Sequence, residues 1–249
     1  MLQKLNRYLF ILMVVTWIVT YFTENNYRGV DKIVPEVLQE PLQTDAKNEP
    51  EIKFVNQGYE YRLKPLFNYE INGLLVHQLN YKRFSIYSYA GVFQEDLCLI
   101  WGNNVSSKVY QSRALTFSQD SRFAYYQWTG NLDFNGNQLS NNHLIINSKE
   151  LERKLKSLNT GDQIKIKGKL VNVQAINADK TNREKPEEYQ WITSTVRTDS
   201  GAGACEIIYV EDIQVLQKGN PLAAELHQGS FYGLIALVVL NLALLFTGV

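Results

Sequence analysis

The sequence predicts a mainly β domain of the α+β class with one helix of its own, flanked by an apolar helix at each end. Three observations carry this. Uncharged apolar runs stand at residues 8–22 and 231–249. Between them, β-branched and aromatic residues recur in short stretches bounded by Gly, Asn, Asp and Pro. One internal segment alone has leucines at helical spacing, Leu151, Leu155 and Leu158.

The first run, YLFILMVVTWIVTYF, follows Lys4 and Arg7 and is short but usable as a membrane span. A cleaved signal peptide would begin the same way, but Tyr21, Phe22, Thr23 and Glu24 follow in place of a small-x-small pair. Residues 1–23 therefore read as an uncleaved anchor. The second run, FYGLIALVVLNLALLFTGV, has Asn241 as its one strongly polar residue, whereas a surface helix carries polar residues every turn. Asn241 is placed to bond to the first helix or to a partner subunit. Nearby basic residues are almost balanced, with Lys4 and Arg7 before the first span and Arg28, Lys32 and Lys218 between the two. The N-terminal charges lie closest to the apolar edge, which favours an N-in first helix and an extracytoplasmic middle.

Residues 24–53 carry Pro35, Pro41 and Pro50 among polar residues and read as a flexible linker. Residues 54–217 form the globular domain, and 218–230 a juxtamembrane linker before the helix at 231–249. Strands are expected at 69–79, with Gly73 as a bulge, and at 85–92, 125–128 and 144–146. LCLIW, residues 97–101, is apolar throughout and should be covered on both faces. Asn147 with Glu150 resembles a capping box that opens the helix, and Asn159 and Gly161 stop it. A long strand over 161–176 follows, bent by a bulge at Gly168, where the apolar parity shifts. After a polar loop at 177–188, strands at 191–197 and 205–216 are joined by the hairpin TDSGAGA.

Gly161-Asp162 before a bent strand, then the terminal strand IIYVEDIQVL, resembles an OB-type small β-barrel over residues 160–217. Upstream strands would have to complete it. The segments DLCLIWG, NNHLI and RTDSGAGACE resemble uncharacterised bacterial membrane-anchored proteins, which implies an inner-membrane setting and no particular activity.

The chain has 25 Lys+Arg against 25 Asp+Glu, so nucleic acid is not an expected partner. Two cysteines exclude a disulfide scaffold. In an exported domain, Cys98 and Cys205 would close a loop worth about 4 to 5 kcal/mol if bridged; both segments also suit buried thiols. Cys205 follows a glycine turn and would act as a nucleophile if His143 or His77 came near as base. None of the three histidines has the short spacing of a zinc pair, and no phosphate loop or nucleophile elbow is present, so no cofactor is expected.

Nine tyrosines lie between Phe54 and Trp128. They are ordinary cross-strand residues or a stacking surface, the latter drawn from Tyr87, Tyr89, Trp101, Trp128 and His143 with outward Lys165 and Lys167. The expected function is an envelope protein that binds a protein or envelope ligand beside the lipid bilayer. The alternatives are a Cys205/His143 enzyme and a cytoplasm-facing scaffold.

Overall fold

A computed structural model describes residues 2–81, 91–120, 123–178, 187–201 and 203–247. Helix α1 (Leu2–Glu24) leads through two 3₁₀ turns, Tyr27–Gly29 and Pro35–Leu38, to β1 (Leu42–Asp45), β2 (Ile52–Asn56) and the long β3 (Tyr59–Asn80). Then come β4 (Phe93–Ile100), the one-turn α2 (Asn103–Ser106), β5 (Leu115–Gln119), β6 (Ala124–Trp128) and β7 (Leu139–Ile145). Helix α3 (Lys149–Lys156), β8 (Gln163–Asn177), β9 (Glu188–Trp191), β10 (Glu206–Gln217) and α4 (Pro221–Thr247) complete the order. The protein is mostly sheet with a few helices, and two of these are the apolar helices at the ends.

Eight strands form one sheet in the order β1-β3-β4-β7-β10-β8-β9, with β2 on β3 and β8 also paired to β3. β5 and β6 form a separate hairpin. Within the large sheet β7 and β10 run parallel and the other pairs antiparallel. The length of β3 explains the economy: one 22-residue strand serves β1, β2, β4 and β8.

Three apolar clusters hold it. Ile71, Leu75, Leu97, Leu99, Leu144, Ile166, Ile208 and Val210 pack with Leu151, Leu155 and Leu158, so α3 closes one end of this core. A second cluster joins Tyr59, Tyr61 and Leu63 of β3 to Val171, Val173 and Ala175 of β8. The third places Cys98 and Ile100 under Tyr110, Leu115 and Phe117. Leu97 to Trp101 are all fully buried, as a run apolar at every position requires.

The switch of apolar parity along β8 has a different origin from a bulge at Gly168. Ile164, Ile166 and Leu170 face the first cluster, and Val171, Val173 and Ala175 face the second. The irregularity lies on the partner strand, between Val210 and Asp212. Gly168 is required by approach: a Cβ there would run into the carbonyl oxygen of Tyr209. Gly73 is likewise no bulge; its pairing with Ile164 is regular, and a Cβ would sit 3.0 Å from that of Leu99. The β3 irregularities fall at Pro65/Phe67 and Leu75/His77.

Other boundaries move for physical reasons. Residues 24–53 are docked, because Val30 and Val37 bury completely or nearly so and Gln163 bonds the backbone of both Val34 (2.8 Å) and Lys32 (2.7 Å). Tyr110 adds a 2.6 Å bond to the carbonyl of Val30. Ser148, rather than Asn147, caps α3 by accepting from the amide of Glu150. The hairpin expected between 191–197 and 205–216 is absent among the described residues: β9 ends at Trp191 and pairs with β8. The strand expected at 85–92 lies mostly on residues 82–90, outside the described ones.

Residues 4–24 and 221–243 form helices long and apolar enough to cross a membrane. They pack antiparallel. Asn6 donates to Asn241 at 2.6 Å, Gly233 faces Met13, and Asn220 reaches the carbonyl of Thr23 at 3.4 Å. His227 stacks on Trp17 at 5.5 Å and bonds its carbonyl at 3.1 Å. The expected linker at 218–230 is mostly helix, and its start is pinned to the sheet. Buried Asp162 accepts from Lys218 Nζ at 2.8 Å and from the amide of Gly219 at 3.0 Å.

Candidate functional site

Register brings the site together. Asp96 on β4 stands opposite His143 on β7, and Cys98 opposite Asn141. Cys205 immediately precedes β10, which runs parallel to β7 with Glu206 beside Asn142 and Ile207 beside His143. Three segments distant in sequence thus place Asp96, His143 and Cys205 on one face.

His143 Nδ1 lies 2.6 Å from Asp96 Oδ1, and neither atom makes another hydrogen bond. The second carboxylate oxygen of Asp96 accepts from the Tyr81 hydroxyl at 2.6 Å. The His143 side chain is 13 % exposed and that of Asp96 is fully buried. Burial opposes a charge on the ring, but the Asp96 carboxylate and contact with the Cys205 thiol outweigh it and push His143 up to about 10. Burial also raises the Asp96 carboxyl against His143 and Tyr81. The pair therefore holds one proton between them through neutral pH.

Cys205 is partly exposed, interacts with the His143 ring, and accepts from Asn141 Nδ2 at 3.5 Å. Asn141 is fixed in turn by Gln119 at 2.7 Å, and Gln119 by His77 at 2.9 Å. His77 therefore reaches the thiol only through two amides.

No known protein family, curated protein or solved structure matches this chain. The site stands on its own geometry.

Cys98 and Cys205 are not bridged to each other. A bridge is precluded because β7 lies between them: Cys98 and Cys205 flank Asn141 from opposite sides, about two strand spacings of 4.8 Å apart. Cys98 is completely buried, and burial raises its thiol further.

The residues expected to form a stacking surface do not gather. Trp101 is core, its indole donating to Glu40 at 2.8 Å. Trp128 is 44 % exposed on the separate hairpin, stacked on Tyr126. Lys165 and Lys167 both pair with Glu70 at 3.0 Å, one carboxylate offsetting part of the expected basic charge. Tyr87 and Tyr89 lie outside the described residues. Of that set, His143 alone belongs to the site. A different aromatic series leads to it: Tyr59 to Tyr189 (5.6 Å), Tyr189 to Trp191 (5.6 Å), Trp191 to Phe93 (5.5 Å) and Phe93 to His143 (5.5 Å).

A second polar group lies one residue from Cys205. Glu206 is buried and bonded to Arg197 at 2.6 Å, with the guanidinium 5.0 Å from the Tyr69 ring. Burial raises its carboxyl to about 7 against the pull of Arg197. Sequence reading missed Asp96, Arg197 and Glu206. The available signal was an acid set flush against an apolar run, in EDLCLIW and in CEIIY, where burial obliges a carboxylate to find a partner.

Proposed function

We propose that the protein is an envelope protein of a bacterial inner membrane, tethered at both ends, whose extracytoplasmic OB-like domain binds a protein or envelope ligand. The tether is supported by the two apolar helices and by their antiparallel packing, an arrangement in which both outer ends of the helix pair would share one side of a membrane. Lys4 and Arg7 at the N-terminal edge favour the cytoplasm for the termini. The OB-like reading is supported by the pairing β3-β4-β7-β10-β8-β3, which returns to its first strand, by its parallel β7/β10 pair, and by α3 between β7 and β8.

One observation carries the binding role: the aromatic series in which half-buried Tyr189 and Trp191 lead through buried Phe93 to half-buried His143. Such a rim offers flat apolar area at low ordering cost beside a polar floor. A photo-crosslinking phenylalanine derivative in place of Trp191, in intact cells, should give one discrete adduct. The same probe at exposed Leu42 should give none. Equal adducts from both positions, or none from 191, contradict the proposal. An export-dependent reporter fused after Asp120 should be active; activity only in its cytoplasmic form would favour the scaffold reading instead.

A further inference from the structure

We propose that Cys205 is the nucleophile of an acyl-transfer site, acting on an activated carbonyl such as a thioester or activated ester. This is independent of the binding role and rests on five placed groups. The Cys205 thiol is partly open to solvent and close enough to the His143 ring to interact with it. His143 is held by Asp96 at 2.6 Å through Nδ1, which leaves Nε2 for the thiol side. Tyr81 fixes the other oxygen of Asp96, so carboxylate and ring have one orientation. Asn141 brings an amide donor to 3.5 Å from the sulfur, where the oxygen of an attacked carbonyl would gather charge.

Acyl transfer is the chemistry these groups balance unaided. The Cys205 thiolate, paired with the His143 imidazolium, forms an S–C bond to the carbonyl carbon. Collapse breaks the bond to the leaving group, which takes the proton from His143 Nε2. Water or another acceptor then attacks the thioester and gives its proton to His143, and the S–C bond breaks to restore the thiolate–imidazolium pair. Thiol–disulfide chemistry has no such support, because the other described thiol, Cys98, is fully buried beyond β7. Cys205 and His143 are the catalytic residues of this proposal; Asp96 and Tyr81 position them.

The test uses the full-length chain in detergent micelles with p-nitrophenyl acetate as probe. The expected result is a stoichiometric burst of p-nitrophenolate, followed by steady turnover, with acetyl found on Cys205 by peptide mass spectrometry. Acetylation should outpace that of a synthetic peptide spanning residues 201–209 at least tenfold. Cys205→Ser should abolish the burst and Cys98→Ser should keep it. Asp96→Asn should slow it roughly a hundredfold with no change in the site of acetylation. A wild-type rate no faster than the peptide overturns the proposal without recourse to any variant. A burst that never turns over, even with added amine or thiol acceptor, overturns the transfer step.

Discussion

Glu206 concentrates the electrostatic cost of this domain in one side chain. Its carboxyl rises from an ordinary 4.5 to about 7 because burial outweighs the attraction of Arg197. Between those values the folded chain keeps a proton that the unfolded chain has lost, so stability falls as pH rises from 4.5 to 7. The size is about 3 kcal/mol. Glu206→Gln should flatten that part of the pH profile of urea unfolding, followed by tryptophan fluorescence in micelles. His143, pushed up to about 10, has the same sign at a higher window: its contribution is complete below about 6.5 and lost as pH rises through 10. The glutamine variant should therefore leave the alkaline loss intact; a profile unchanged between pH 4.5 and 7 would contradict the assignment. At this scale the sequence was partly legible. Cys205 and His143 stand out because thiols and imidazoles are scarce, whereas Asp96 is one of many acids until register sets it across from His143.

Among elements, α3 shows what local rules reach and where they stop. The leucine spacing locates the helix, and Leu151, Leu155 and Leu158 bury as that spacing requires. The cap is off by one residue, because it is Ser148, in extended conformation, whose side chain accepts from the amide of Glu150. Ser148→Ala should cost about 1 kcal/mol of domain stability in urea titration, and Asn147→Ala much less; the reverse order would restore the other boundary. Strands were legible by composition and illegible by partner. Pattern cannot tell that β3 carries four neighbours, nor that the Ser194 amide bonds the Cys205 carbonyl at 2.9 Å. The docked 24–53 segment failed for a similar reason: a few of its apolar residues suffice because they meet a prepared surface, Val30 under Tyr110 and Val37 in the same cluster.

For the whole molecule, the informative contacts lie where sheet meets helix pair. Asp162 grips Lys218 and Gly219, and Asn220 grips Thr23, so both strands of the tether leave the domain at one place. The helices then run side by side to the Asn6–Asn241 bond, a polar pair worth about 1 kcal/mol where such helices sit in lipid. A domain held this closely presents its Cys205 face in a fixed relation to the helix pair, which suits the proposed envelope ligand or acyl donor. The measurement that bears most directly on this arrangement pairs Asn6→Cys with Asn241→Cys in a chain lacking Cys98 and Cys205. Oxidation in native membranes should join the two positions within one chain, and a membrane-impermeant thiol reagent should reach both or neither. Labels on opposite sides of the membrane, or recovery of the chain in the soluble fraction without detergent, would contradict the account.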